Sequence, residues 1–180
     1  MLDKQFRSPR SEMNRQFIES IKAGGIRMLL QSDGDADKDA NLDPFVVDYI
    51  KAAAPARVLD IGCGYQHYRG VIDGNYTGLD IVPRRGCVIG DAHSLPFEDN
   101  SFDLALMIDV IEHLRSPDTA LKEALRVAKR VLVKVPLGTY DDCDSHVRIF
   151  DLADLQCSKV INCSEYVVGI YCNEQNEREI

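Results

Sequence analysis

The chain has no surplus of positive charge, no long apolar run and no closely paired cysteines, and each absence removes a class of function. Its 21 lysines and arginines stand against 29 aspartates and glutamates, a formal net charge of −8. Phosphate backbones and anionic membranes therefore meet no general attraction, and nucleic acid is a disfavoured partner, with only a local basic patch left open. No stretch approaches the roughly 18 to 20 apolar residues of a membrane span. Met1-Leu2-Asp3-Lys4-Gln5-Phe6-Arg7 lacks the apolar core of a secretory signal. A cytoplasmic protein with no membrane partner is the expectation. Six cysteines, Cys63, Cys87, Cys143, Cys157, Cys163 and Cys172, are scattered without a CxxC pair and several fall in apolar runs. Reduced, packing thiols fit that pattern better than a disulfide framework or a metal site. There is also no internal repeat, no low-complexity segment and no linker that would divide the chain.

An acidic stretch imitates a calcium loop and then departs from it. Asp33, Asp35 and Asp37 alternate correctly, but Lys38 stands where the sharp turn requires glycine and Pro44 where a bidentate glutamate belongs. The stretch reads as a solvated loop, and no metal is expected.

What is present is enough for a core: 180 residues, 45% of them apolar, suit one domain over 1–180. Phe17, Ile18, Ile21, Ile26, Met28 and Leu29 recur at helical spacing between Ser11 and Leu30, with a weak point at Gly24-Gly25. Pro44 is placed for the first turn of a helix through Ala54, with Asp43 as N-cap. From Arg57 onward short apolar runs alternate with helical or turn segments. Strands are predicted at Arg57 to Ile61, Tyr76 to Leu79, Cys87 to Gly90, Phe102 to Ile108 and Arg130 to Val135. A helix opened by Ser116-Pro117-Asp118, a cap followed by a first-turn proline, with Ala120, Leu121, Ala124, Leu125 and Ala128 on one face, precedes the last of them. Such alternation implies an α/β fold, a mostly parallel sheet with helices on both faces and ligands beyond the strands' carboxyl ends. The division expected is 1–56 as N-terminal cap, 57–136 as ligand-binding core, and 137–180 as substrate-side loop with terminal strands.

The functional signal begins at Val58-Leu59-Asp60-Ile61-Gly62-Cys63-Gly64, an apolar strand that runs into an acid and a glycine turn. Glycine admits positive φ and lets a ligand sit against the main chain. Three acids, Asp60, Asp80 and Asp91, lie at or just after the ends of the first three predicted strands. An acid ending the second strand, about 20 residues past the glycine turn, is placed to accept from both hydroxyls of a ribose. Asp91, one strand further, is placed to accept from an exocyclic amine.

The order of Val58 to Gly64, Tyr76-Thr77-Gly78-Leu79-Asp80, Gly90-Asp91-Ala92-His93-Ser94-Leu95-Pro96-Phe97, Ser101-Phe102-Asp103-Leu104 and Asp109-Val110-Ile111-Glu112-His113-Leu114 resembles the class I S-adenosylmethionine-dependent methyltransferases. Within them it is similar to the type 11 small-molecule branch, from about Arg57 to Pro136. The resemblance implies a Rossmann-like, doubly wound sheet with a final antiparallel strand pair at Val160 to Tyr166 and Val167 to Cys172, and S-adenosylmethionine as cofactor. It also implies roles by position. Gly62 and Gly64 shape the loop beside the methionine portion and Asp60 serves its ammonium group. Asp80 holds the ribose, Ile81 packs on one adenine face, and Asp91 and the Ala92 N–H read the adenine edge. The carbonyl of Ile108 or a neighbour accepts from the ammonium. Two departures stand out: Gln66 occupies the place of a frequent third glycine, with Tyr68 nearby, and the proline-glycine turn before the fifth strand is missing, so that Val127-Ala128-Lys129-Arg130 runs directly into Val131 and a shortened turn is expected to join helix and strand.

In-line methyl transfer needs alignment first and a base only if the acceptor must lose a proton. Asp109, Glu112, His113, Tyr140 and His146 lie near the fourth and fifth strand ends; of these His113 and His146 are the catalytic candidates. His113 fits a packing and hydrogen-bonding role as well. Cys143 carries no mark of a nucleophile. The Asn/Asp-Pro-Pro-aromatic motif of enzymes that methylate nucleic-acid bases is absent, Ile108-Asp109-Val110 standing in its place, so a small-molecule acceptor is expected. The brief C-terminal part leaves the lid to the N-terminal helices and residues 140–150, or to the second subunit of a homodimer. Two alternatives stay open. A nicotinamide dehydrogenase shares the glycines and the second-strand acid, but its fingerprint wants glycine where this chain has His67. A non-catalytic protein that binds S-adenosylmethionine would keep the same acids.

Overall fold

The architecture follows from which faces of the central strands are apolar. In a computed structural model of the protein, residues 42–136, 150, 155, 157–162 and 166–173 are described. Seven strands form one sheet: β1 (Arg57–Ile61), β2 (Asn75–Asp80), β3 (Cys87–Ile89), β4 (Phe102–Ile108), β5 (Ala128–Pro136), β6 (Lys159–Asn162) and β7 (Tyr166–Cys172). Strands buried on both faces lack the apolar-polar alternation of a half-exposed sheet. In β4, Leu104 and Leu106 face one side and Ala105 and Met107 the other, and all four are fully buried.

Helices cover both faces. Helix α1 (Pro44–Ala53) sets Val46 and Ile50 against Val58, Leu104, Leu106, Leu132 and Val168. Helix α2 (Pro117–Val127) sets Ala120, Ala124 and Val127 against the opposite face, with Leu59, Ala105, Met107, Val131 and Val133. Asp43 caps α1, its Oδ1 accepting from the Val46 N–H at 3.0 Å, and Pro44 fills the first turn, where its missing N–H costs nothing. Among the described residues no helix is long and apolar enough to cross a membrane.

The strand order is β3-β2-β1-β4-β5-β7-β6. The first five run parallel; β7 is antiparallel to β5 and β6 antiparallel to β7. The chain winds outward from β1 on one side and from β4 on the other, so the order reverses between them. At such a switch point the connecting segments part and leave a crevice beyond the strand ends.

Three local expectations are corrected. No turn separates α2 from β5: Ala128, at φ −128° and ψ 148°, donates its N–H to the Ala124 carbonyl and is already the first strand residue. The extended angles of one residue suffice to change direction, which is why a proline-glycine turn is dispensable. Ser116 does not cap α2 with its side chain; its carbonyl instead accepts from the N–H groups of Thr119 and Ala120. The terminal antiparallel pair is present, but Tyr166 opens β7 and does not belong to the strand before it. The helix expected within 11–30 and the acidic loop up to residue 41 lie outside the described residues.

Candidate functional site

The crevice is built from the loop after β1. Gly62 takes φ +70°, and a Cβ there would lie 2.7 Å from a Val110 methyl, so only glycine lets the loop rest against the end of β4. The N–H groups of Gly62 and Cys63 both donate to the Leu79 carbonyl, at 2.7 and 3.1 Å, which ties the loop to β2. Gln66, standing where a third glycine would, takes the same left-handed region at φ 61°. Its N–H donates to the Cys63 carbonyl at 2.7 Å and its side-chain amide to the Arg85 carbonyl at 2.8 Å, bonds that offset the roughly 1 kcal/mol cost of that conformation.

Asp80 ends β2 and is buried. Its Oδ2 accepts from the Gly64 N–H at 2.9 Å and its Oδ1 from the Val82 N–H at 2.8 Å. The carboxylate is thereby fixed in orientation, and each oxygen keeps lone-pair capacity for one more donor. Two acceptors held side by side suit a vicinal diol.

Asp60, at the penultimate position of β1, is 4% exposed. Burial, with a smaller push from Asp80, drives its carboxyl up to about 6 against the pull of a hydrogen bond from Tyr76. That bond runs from the Tyr76 hydroxyl to Asp60 Oδ2 at 2.7 Å. Cys63 and Cys87 bring their sulfurs to 3.1 Å beside this pair, and burial pushes the Cys63 thiol well up, so it is not a thiolate nucleophile.

Two hollows open over these residues. The first, about 270 Å³, is lined by Gly62, Asp80, Ile81, Asp91, Ala92 and His113 from the sequence expectation, and also by Leu79, Gly90, His93 and Val110. Asp91 Oδ1 accepts from the His93 N–H at 3.0 Å and lies 2.7 Å from His93 Nδ1. The second, about 600 Å³, is lined by Asp60, Gly62, Gly64 and Ile108, with Tyr65, His67, Tyr68 and Tyr166 adding aromatic surface. Gly62 and Asp109 line both, so the hollows meet there.

Charged pairs rim the second hollow. The Arg84 guanidinium lies over the Tyr65 ring at 4.3 Å and 4.0 Å from Asp80 Oδ2. Lys134 Nζ donates to both Asp109 oxygens at 3.0 Å and sits 4.9 Å from the Tyr166 ring centre. Sequence reasoning passed over Tyr76, Arg84 and Lys134. For Tyr76 a signal existed: Gly78 lies inside a strand, where glycine marks a close approach. Arg84 and Lys134 carry no such mark. His146, Tyr140 and Cys143 lie outside the described residues.

Comparison with known proteins agrees with the geometry. The methyltransferase domain family matches residues 59–131. Norajmaline N-methyltransferase of Rauvolfia serpentina is 45% identical over 95 residues, 41% of this chain and 32% of that protein. Demethylmenaquinone methyltransferase of Renibacterium salmoninarum is 34% identical over 102 residues, 47% of this chain and 41% of that protein. The chain thus matches under half the length of these two relatives. A SAM-dependent methyltransferase from Aquifex aeolicus shares the fold, with a TM-score of 0.51 at 15% identity over 69% of this chain and 88% of that one. The matched stretch runs from β1 into β5 and includes every loop that builds the first hollow. Over residues 59–131 the chain is therefore similar to the methyltransferase domain family, on a fold shared with S-adenosylmethionine-dependent methyltransferases, and S-adenosylmethionine is the cofactor that this similarity indicates.

Proposed function

We propose that the protein transfers a methyl group to a small molecule bound in the second hollow, the cofactor lying across both. The observation that carries this reading is the junction of the hollows at Gly62 and Asp109, which brings a narrow polar-edged cleft against a wider aromatic one. In this reading Asp80 holds the ribose hydroxyls, Ile81 packs on the adenine face, and Asp91 with the Ala92 N–H reads the adenine edge. Asp60 and the Ile108 carbonyl receive the methionine ammonium where Gly62 and Gly64 leave room. The fixed Asp80 carboxylate and the glycine cradle fit such a ligand.

A sulfonium supplies a methyl group already activated for displacement, so the chain's task is alignment. Tyr65, Tyr68 and Tyr166 offer flat surface to an acceptor in the second hollow. His146 and His113 remain the residues proposed for removing an acceptor proton; His113 lies on the wall of the first hollow with Asp91 and Ala92. The formal charge of −8 and the small molecules named in the two curated relatives favour a metabolite over a nucleic acid.

Calorimetry with S-adenosylmethionine, its demethylated product and NAD is the first test, with binding of the first two and not the third expected. Incubation with methyl-labelled cofactor and cell extract, separated into metabolite, nucleic-acid and protein fractions, is the second. Label in the metabolite fraction is expected. Label confined to a macromolecule would refute the small-molecule acceptor, and tight binding with no transfer to any fraction would establish the non-catalytic alternative.

A further inference from the structure

Asp60 is an acid that the fold takes out of water at the point where the cofactor's ammonium is proposed to lie. Among the described residues it enters no ion pair with Lys, Arg or His. We propose that Tyr76 is a positioning residue for the cofactor: its hydroxyl orients the Asp60 carboxylate and keeps it charged toward the methionine ammonium, and the glycine at position 78 makes room for it. The inference rests on the cofactor reading above.

The register of the sheet explains how this tyrosine reaches Asp60. Val58 pairs with Tyr76 and Asp60 with Gly78 across β1 and β2. Residues 76 and 78 are two apart, so they share the sheet face of Asp60. A tyrosine directly opposite Val58 must lean along its strand, over position 78, to bring its hydroxyl to Asp60. A Cβ at position 78 would lie 3.3 Å from the Tyr76 ring and 2.8 Å from Cys63 Sγ. The absence of a side chain at 78 is therefore what the bond of 2.7 Å requires.

Protonation agrees with that geometry. Burial, then the charge of Asp60 and the hydrogen bond to it, holds the Tyr76 hydroxyl far above its ordinary value, so it stays a donor throughout the working range. Burial drives Asp60 up to about 6, and the tyrosine bond pulls it back toward ionisation. The groups facing the pair work against the charge or are neutral: Asp80 on β2, Cys63 in the loop, Cys87 on β3, and Tyr68 in the short helical turn His67–Val71. The Arg69 guanidinium lies 5.7 Å from the centre of the Tyr76 ring, and the Tyr68 hydroxyl, which accepts from the Asp43 N–H at 3.4 Å, also feels the charges of Asp43 and Asp109. Losing the hydroxyl leaves a buried acid near neutrality with its principal stabilising donor gone.

The test uses Tyr76→Phe, Asp60→Asn and the double variant of the full chain. Phenylalanine keeps the ring against Gly78, so the fold is retained. Carbon-detected titration of Asp60 without cofactor should move upward by about one pH unit in Tyr76→Phe, the scale of a hydrogen bond to a charged group. Calorimetry should then show the acid limb of S-adenosylmethionine binding moved by the same amount. A one-unit move weakens binding about five- to eightfold at pH 5.5 to 6 and leaves it nearly equal at pH 8.5. Asp60→Asn should remove the limb, and Tyr76→Phe should add nothing on that background. An unmoved limb, a loss equal at all pH values, or a loss that persists in the double variant would overturn the role of Tyr76 alone. Failure of the wild-type protein to bind S-adenosylmethionine would overturn the cofactor reading and the role together.

Discussion

Replacing Asp60 with asparagine should make the cofactor-free protein more stable at neutral pH, and the gain should vanish in acid. The carboxyl is 4% exposed and driven from 3.8 up to about 6. A folded state that raises an acid's pKa binds its proton more tightly than the unfolded chain does. The stability from this group is therefore fully present below the unfolded value near 3.8, and it is lost as pH rises through about 6. At 1.36 kcal/mol per unit, the loss amounts to about 3 kcal/mol once both states are ionised. Asparagine is close in shape to the protonated acid, and its carbonyl oxygen still accepts from the Tyr76 hydroxyl, so it never incurs that loss. Urea denaturation of both proteins from pH 4 to 8 is the assay, read as the difference between them so that other titrating acids cancel. The curves should agree within about 1 kcal/mol at pH 4 and separate by about 3 kcal/mol above pH 7, asparagine being the more stable. A separation that does not change with pH, or an asparagine variant less stable at neutral pH, would refute the idea that Asp60 is retained at a cost to folding.

Asp80→Ala should weaken S-adenosylmethionine binding at least tenfold in calorimetry, because it removes the paired acceptor and also frees the Gly64 and Val82 N–H groups that it holds. Gly62→Ala should cost about 1–3 kcal/mol in urea denaturation, since the new Cβ meets Val110 at 2.7 Å and the residue keeps φ +70°; Gly64→Ala, with nothing within 4 Å, should cost only the backbone strain, about 1 kcal/mol. Arg126→Ala should lower stability by about 2–3 kcal/mol, because its guanidinium donates to the Leu95 and Phe97 carbonyls and to Asp99 and Glu123. Hydrogen bonding from Arg126 holds the Glu123 carboxyl below its usual range, so the wild-type protein loses this stability as pH falls below about 4.5. Thermal unfolding of Arg126→Ala should show a shallower acid loss.

What the sequence made legible depends on how far apart the cooperating residues lie in the chain. The order of strands, the glycine turn and the acids at the strand ends recur at short, regular intervals from Arg57 to Pro136, each beside an apolar run that fixes its place. The Asp43 cap was readable for the same reason, lying one residue before a first-turn proline. The missing turn between α2 and β5 was misread because a backbone can change direction at one extended residue, Ala128, which leaves no compositional trace. Tyr76 was passed over because its function comes from register. The residue opposite it is Val58, and only the empty position at Gly78 lets its hydroxyl reach a neighbour two residues further along.

Distance along the chain also separates the cofactor, which is identifiable, from the acceptor, which is not. The first hollow draws on residues between 62 and 115, at the ends of β1 to β4 and in the segments just after them, and all of them fall within the matched family segment. The second hollow adds Leu42 to Pro44 from ahead of the sheet, Lys134 from β5 and Tyr166 from β7, none of which the match covers. Cofactor recognition needs the same diol, amine and ring contacts whatever is methylated, so it is confined to the segment that relatives share. In the proposed reading, acceptor recognition is assembled across the switch point from elements whose only common property is that the fold brings them together. Exchanging residues such as Tyr65 or Tyr166 should therefore alter which acceptor is used before it alters cofactor affinity.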